Sequence, residues 1–162
     1  MCNKKSDPYA LKSACKDCPF RKDTGYLSGE RIRQIINYMD KDDALFPCHK
    51  TVNTELREEY NQVMSEIEDI LTDAQSEQER TALRAELEIK YNLKELEERV
   101  LLSIRKEEKI CAGWLILGKK ENIIFNNFPL RLAAMTNRLS LDQFKDEDVI
   151  FDSIEEAIKA HS

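Results

Sequence analysis

From Cys48 to Ile110 the chain runs without a single glycine or proline, and all four glycines and all four prolines lie outside that stretch. Those two residues are the strongest local breakers of regular structure, so a run lacking both is open to continuous helix. The apolar pattern agrees. Val52, Leu56, Tyr60, Val63, Ile67 and Ile70 recur at steps of three or four, the signature of a long amphipathic helix. Thr72-Asp-Ala-Gln reads as a short connection, and Ser76-x-x-Glu79 as a capping box that restarts a helix. Leu83, Leu87, Ile89, Leu93, Leu96, Val100 and Ile104 carry the second stripe. The simplest arrangement is an antiparallel, coiled-coil-like hairpin over 51–109. Its arms differ in length: at ~1.5 Å per residue, 52–72 spans about 30 Å and 77–109 about 50 Å. Either the turn lies later or the second helix bends or overshoots, with Tyr91-Asn92 as its weak point.

Chemistry is concentrated on either side of that run. Cys15-Lys-Asp-Cys18-Pro-Phe-Arg21 precedes it, Phe46-Pro-Cys48-His49 opens it, and Cys111-Ala-Gly-Trp114 closes it. Thiolates bind soft metals, and two cysteines separated by two residues reach one ion from a single turn. Cys15 and Cys18 therefore supply half a site. Cys48 and Cys111 follow at gaps too long for a local zinc finger. A hairpin that leaves after Cys48 and returns before Cys111 closes the second gap in space. The expectation is one centre held by Cys15, Cys18, Cys48 and Cys111, as a zinc ion or a [4Fe–4S] cluster. The competing reading makes Cys48 and Cys111 small buried hydrophobes. His49 is an alternative ligand, a hydrogen-bond donor to a thiolate, or a helix cap, and the donor role is favoured because adjacent residues rarely ligate one ion together. Cys2 has no partner at useful spacing, and His161, next to the terminus, is left out of the site.

Elsewhere, Ser28 caps a helix over about 30–40 whose Ile32, Ile35, Ile36 and Met39 form an apolar stripe. Pro129 fits the first turn of a helix over about 129–138, with Leu130, Ala133, Ala134 and Met135 facing inward. Ser140-x-x-Gln143 and Ser153-x-x-Glu156 resemble capping boxes of two short helices. Ile123-Ile-Phe125 is the one strand candidate. Together these features predict an all-α protein: a small metal-stapled helical body, 1–50 and 110–162, with the hairpin 51–109 inserted between the third and fourth ligands.

Charged residues make up 35% of the chain and hydrophobic ones 41%, a balance that favours exposed helical surface over one large core. Residues 51–109 hold 16 acids and nine Lys/Arg, net −7, against −6 for the whole chain. No apolar run approaches membrane-spanning length, and Met1-Cys-Asn-Lys-Lys-Ser lacks a secretory signal. The expected compartment is the cytoplasm, where a Cys-x-x-Cys binds metal or does redox chemistry rather than forming a structural disulfide.

The three cysteine motifs, followed by Pro129-Leu-Arg131-Leu-Ala, resemble a family of uncharacterised short cysteine-rich proteins found in bacteriophages and their hosts. The match covers roughly 15–50 and 111–139, with 51–109 as an insertion. The resemblance implies that the four cysteines act together, with His49 and Arg21 nearby, and that a phage-encoded chain would work in the host cytoplasm. The Cys-Pro-x-Arg step is also similar to that of helical iron–sulfur transcription factors of the WhiB type, although the remaining spacing differs.

Three functions fit. The first is an accessory or regulatory protein that binds a host or phage protein through its acidic hairpin, which would be steered to a basic surface. The second is an iron–sulfur redox or sensor protein. The third is a nucleic-acid module using Arg21, Lys22, Arg31 and Arg33, with Phe20 or Tyr26 for stacking. A hydrolytic enzyme fits least, because a four-thiolate site leaves no position for water.

Overall fold

The computed structural model describes residues 7–24, 27–41 and 43–162. These residues form seven α-helices, three short 3-10 turns and no β-strand, so the protein is all-α. The chain divides into two compact units, Val52–Glu107 and Asp7–Thr51 with Glu108–Ser162. None of the described helices is long and apolar enough to cross a membrane.

The unit Val52–Glu107 contains α2 (Thr54–Thr72), α3 (Glu77–Lys90) and α4 (Leu93–Lys106). The expected second hairpin arm is thus two helices, and the unit has three rather than two. The break falls at Tyr91-Asn92. Asn92 adopts the left-handed region at φ 49°, a conformation that asparagine tolerates far better than bulky residues. Ser76 caps α3 by accepting from the Glu79 N–H at 3.2 Å, while Glu79 Oε2 accepts from the Gln75 N–H at 2.9 Å. α2 packs on both later helices. Glu68 meets Arg80 and Arg84 of α3, and Glu59 makes a two-pronged pair with Arg99 of α4 at 2.9 and 3.0 Å. Ile67, Leu71, Leu87 and Leu93 form the small core of this unit.

The other unit holds the larger core. α1 (Gly29–Lys41) buries Ile32, Ile35, Ile36 and Met39, and Ser28 Oγ accepts from the Arg31 N–H at 3.2 Å as its cap. α5 (Ala112–Lys120) is buried from Ala112 to Gly118, which is why its sequence is apolar all round. α6 (Phe128–Met135) begins with Pro129 in its first turn, and the Asn127 side chain accepts from the Leu130 N–H. α7 (Ile154–Ala160) is capped by Ser153. Three expectations are corrected here. Ile123–Phe125 is a 3-10 turn set off by Asn122 at φ 59°, not a strand. The Ser140 box leads into a single 3-10 turn, Leu141–Gln143, with no side-chain cap. Met135 points outward.

Two isolated antiparallel bridges position the cysteine segments. Arg21 pairs with Ile150, and Pro47 pairs with Ile110. The first is reinforced by Asp152, whose carboxylate takes both Lys120 and Lys22 at 2.7 Å. Hydrogen bonds from Lys120 and then Lys22 hold that carboxyl at about 2, below its ordinary 3.8. Because the folded value is depressed, the stabilisation is present above about pH 4 and is lost as pH falls through about 2. Asp152→Asn should therefore melt lower than wild type at neutral pH, with the gap closing between about pH 4 and pH 2 in a thermal-denaturation series.

Candidate metal centre

Each cysteine motif is fixed by its own local bonding. In the first, the Cys18 N–H donates to the Cys15 carbonyl at 3.1 Å and the Arg21 N–H to the Cys18 carbonyl at 3.1 Å. Pro19 has no N–H to place and fixes φ between these two turns. The segment is then clamped by Lys22 N–H to Val149 O at 2.8 Å and Phe151 N–H to Phe20 O at 3.1 Å.

The second and third motifs hold one another. The Cys48 N–H donates to Lys109 O at 2.7 Å, and the Cys111 N–H to Phe46 O at 2.9 Å. Thr51 Oγ1 donates to Cys48 O and accepts the Lys109 N–H at 2.9 Å. Cys48 and Cys111, 63 positions apart, are therefore neighbours on a short antiparallel bridge. An ion pair of 2.5 Å between Asp17, inside the Cys-x-x-Cys loop, and Lys50, two residues past Cys48, ties the first motif to the second.

The aromatic residues of the three motifs meet around Phe20. Phe20 is fully buried, with its ring 5.7 Å from Phe46 edge-on and 5.8 Å from Trp114. This is why Phe, Phe and Trp accompany the cysteines, and it removes Phe20 as a stacking platform for bases. Tyr26, the other stacking candidate, lies outside the described residues, as does Cys2.

Within this frame the sulfurs fall into two groups. Cys18 Sγ and Cys111 Sγ are 3.6 Å apart and buried. Cys15, Cys48 and His49 offer ligand atoms that all lie within 4.8 Å of one another, close enough to hold a metal ion. Cys15 is half-buried, Cys48 buried and His49 exposed. Cys111 acts electrostatically on both Cys15 and Cys48. All four are free thiols.

Crowding and burial oppose ionisation. Burial first, then Cys48 and Cys111, push the Cys15 thiol up to about 11. Burial raises Cys48, and the contact with Cys18 followed by burial raises Cys111 well above the ordinary range. Against this, backbone N–H groups pull the other way: Asp17 on Cys15, Lys50 on Cys48, and Trp114 and Gly113 on Cys111. In all three motifs one of these N–H groups belongs to the residue two positions after the cysteine. At Cys111 these are the free N–H groups of the α5 start; they act as nearby dipoles without closing a full capping bond. Such donors stabilise thiolates, the form in which cysteine binds metal.

Gly113 is required by the close approach of Cys18. A Cβ there would stand 2.3 Å from Cys18 Sγ. His161, which sequence reasoning set aside, is buried with Nδ1 at 2.9 Å from Leu27 O and Nε2 at 2.9 Å from Pro19 O. It anchors the C-terminal segment to the residue after Cys18. No local pattern marks such a long-range contact. The segment before the first motif is held too: the Pro8 carbonyl accepts the Ile110 N–H at 2.8 Å, and Tyr9 is buried.

The basic candidates are already engaged. Arg21 makes a two-pronged pair with Asp23 at 2.7 Å, Lys22 pairs with Asp152, Arg33 with Glu30 at 2.6 Å, and Arg31 donates to Gln34 at 3.2 Å. Contacts to phosphate would have to compete with these partners. Comparisons with protein-family models, with curated proteins and with solved structures return no match for this chain.

Proposed function

We propose that the chain is a metal-binding accessory protein in which Cys15, Cys18, Cys48 and Cys111 hold one centre and the helical arm Val52–Glu107 binds a protein partner. The observation that carries the first half is the approach of distant cysteine segments: Cys18 Sγ and Cys111 Sγ at 3.6 Å, and the ligand atoms of Cys15, Cys48 and His49 within 4.8 Å of one another. Zinc is the favoured occupant. Tetrahedral bonds of about 2.3 Å set sulfur–sulfur edges of about 3.8 Å, close to the 3.6 Å between Cys18 and Cys111. His49 stands beside the centre as an alternative ligand or a donor to a thiolate. The aromatic cluster and the two bridges orient the ligands. The centre in turn would staple a body with limited apolar burial.

The arm is the partner-binding element because it carries net −7 over 51–109 and exposes Ile89, Leu101, Leu102 and Ile104. A basic surface on a host or phage protein, in keeping with the motif resemblance, is its complement. Thr51 and Lys109 are hydrogen-bonded to each other, so a short linker can replace 54–106 without disturbing the ligands. That deletion is expected to retain the full metal content of the intact chain and to lose binding to its partner in a pull-down with purified proteins. Retained binding would remove the arm from the interface; lost metal would make the arm part of the body.

A second reading, an iron–sulfur redox or sensor protein, is supported by one observation. Trp114 Nε1 is buried without a hydrogen-bond partner, and the inorganic sulfides of a cluster add acceptors that a zinc ion lacks. Reversible bleaching of a visible band by dithionite would favour it; a colourless protein would end it.

A further inference from the structure

α6 has two unlike faces. Leu130 and Ala133 are buried, and Asn127 fixes the helix by donating to the Met39 and Ala44 carbonyls at 3.4 and 3.1 Å. The opposite side carries Phe128, Leu132 and Met135 at steps of four and three, and Phe125 ends the 3-10 turn just before the helix. They are 54%, 49%, 75% and 51% exposed. Scattered exposed apolar residues are ordinary, but three in one helical row with a fourth in the adjoining turn make a patch of roughly a few hundred Å², the size that marks an interaction site.

The segment's own charged side chains have one sign. The Arg131 guanidinium lies 5.7 Å from the centre of the Phe128 ring, and Arg138 is exposed just past the helix. No acid occurs between Glu121 and Asp142, in a chain of net −6. Asp43 approaches the start of α6, where its carboxylate accepts the Phe128 N–H at 2.8 Å. Pairing two copies through this face would oppose arginine to arginine, with the nearest carboxylate, Asp43, already engaged by the Phe128 N–H, which disfavours self-association. The exposed Leu101, Leu102 and Ile104 of α4 are followed by Arg105 and Lys106, so they bring the same sign and are no complement either.

We infer that the Phe125–Phe128–Leu132–Met135 face is a docking site for an acidic amphipathic helix of another protein. A row at three–four spacing packs along the apolar row of a second helix, as ridges and grooves do. Arg131 and Arg138 select acids on the flanks of that helix and set its orientation. None of its residues belongs to the proposed metal centre or to the acidic arm, whose net charge would attract partners of the opposite sign.

The test uses the intact, metal-loaded chain and a fluorescent synthetic peptide of about 18 residues, five helical turns, with leucines at helical spacing and glutamates between them. Anisotropy titration is expected to show saturable binding that weakens at least tenfold in Leu132→Glu, in Arg131→Glu and on raising salt. A peptide of the same composition with its leucines out of helical register should not bind. Both substituted side chains are exposed, so circular dichroism and metal content should match wild type. Absence of binding, or binding indifferent to Leu132→Glu, would overturn the inference. So would a Leu132-dependent dimer in sedimentation, or Leu132-dependent binding to phosphatidylserine vesicles with none to the peptide.

Discussion

Replacing Gly113 with alanine should lower both metal content and melting temperature, although helix propensity alone argues the reverse. Alanine exceeds glycine by about 1 kcal/mol inside a helix, and Gly113 sits in the first turn of α5. The local rule therefore predicts a gain. The packing rule predicts a loss, because the new methyl would stand 2.3 Å from Cys18 Sγ. That sulfur has no exposed surface into which to retreat. Overpacking of this kind costs about 1–3 kcal/mol, which in a chain of this size is a fall of roughly 5 °C. Moving the Cys18 sulfur aside also breaks its approach to Cys111 and so would remove a proposed ligand from the proposed centre. The two effects separate in a double-mutant cycle. In a Cys18→Ala background the Gly113→Ala penalty should vanish or turn into a small gain. A penalty that persists there would mean that the clash is not with Cys18. Unchanged metal binding in Gly113→Ala would mean that Cys18 is not a ligand.

The second large effect is expected on metal removal. A centre that binds the folded chain and not the unfolded one contributes about 4 kcal/mol when the metal is at a thousandfold its dissociation constant. At about 2–4 °C per kcal/mol, stripping it should lower the melting temperature by about 10 °C. The experiment needs a reductant, since Cys18 and Cys111 lie 3.6 Å apart as thiols and oxidation would imitate or mask the loss. Trp114, the sole tryptophan, packs against Phe20 beside the cysteines and gives a second readout. Its emission should change on stripping and recover on adding zinc. A melting temperature and emission indifferent to chelator would leave the cysteines as ordinary core residues, which the 22 buried residues of this unit could accommodate.

The all-α class was legible because it rests on local signals: helical spacing at Ile32, Ile35, Ile36 and Met39, capping at Ser28, Ser76 and Ser153, and the absence of breakers from 49 to 110. The weak point of the long second stripe was also readable, since Asn92 is among the few residue types that accept a left-handed backbone. What periodicity could not show is how α3 and α4 are separated, because both keep the same apolar spacing across the break. Ile123–Phe125 misled for a related reason. β-Branched residues suggest a strand, but Asn122 at positive φ and the Asn127 cap turn the segment directly into α6. Met135 continues the spacing of a core residue and yet faces outward, since helix periodicity does not say which of two apolar rows is covered.

The cysteine motifs were visible as motifs; the reasons for their other residues were not. Phe20, Phe46 and Trp114 form one aromatic cluster only because three segments far apart in sequence meet. Gly113 is explained by a sulfur 95 positions earlier. His161, next to the chain's last residue, reaches the carbonyl of Pro19. Contacts of this range leave no trace in a local window.

The most direct test is the metal and inorganic sulfide content, with a visible spectrum, of anaerobically purified wild type and Cys111→Ala. The account predicts about one zinc per chain, no sulfide and no visible band, with the zinc lost or weakened in the variant. About four iron and four sulfide with a broad band near ~400 nm would keep the four-cysteine centre and replace zinc with a cluster. A folded wild type that carries neither would contradict the account at its centre.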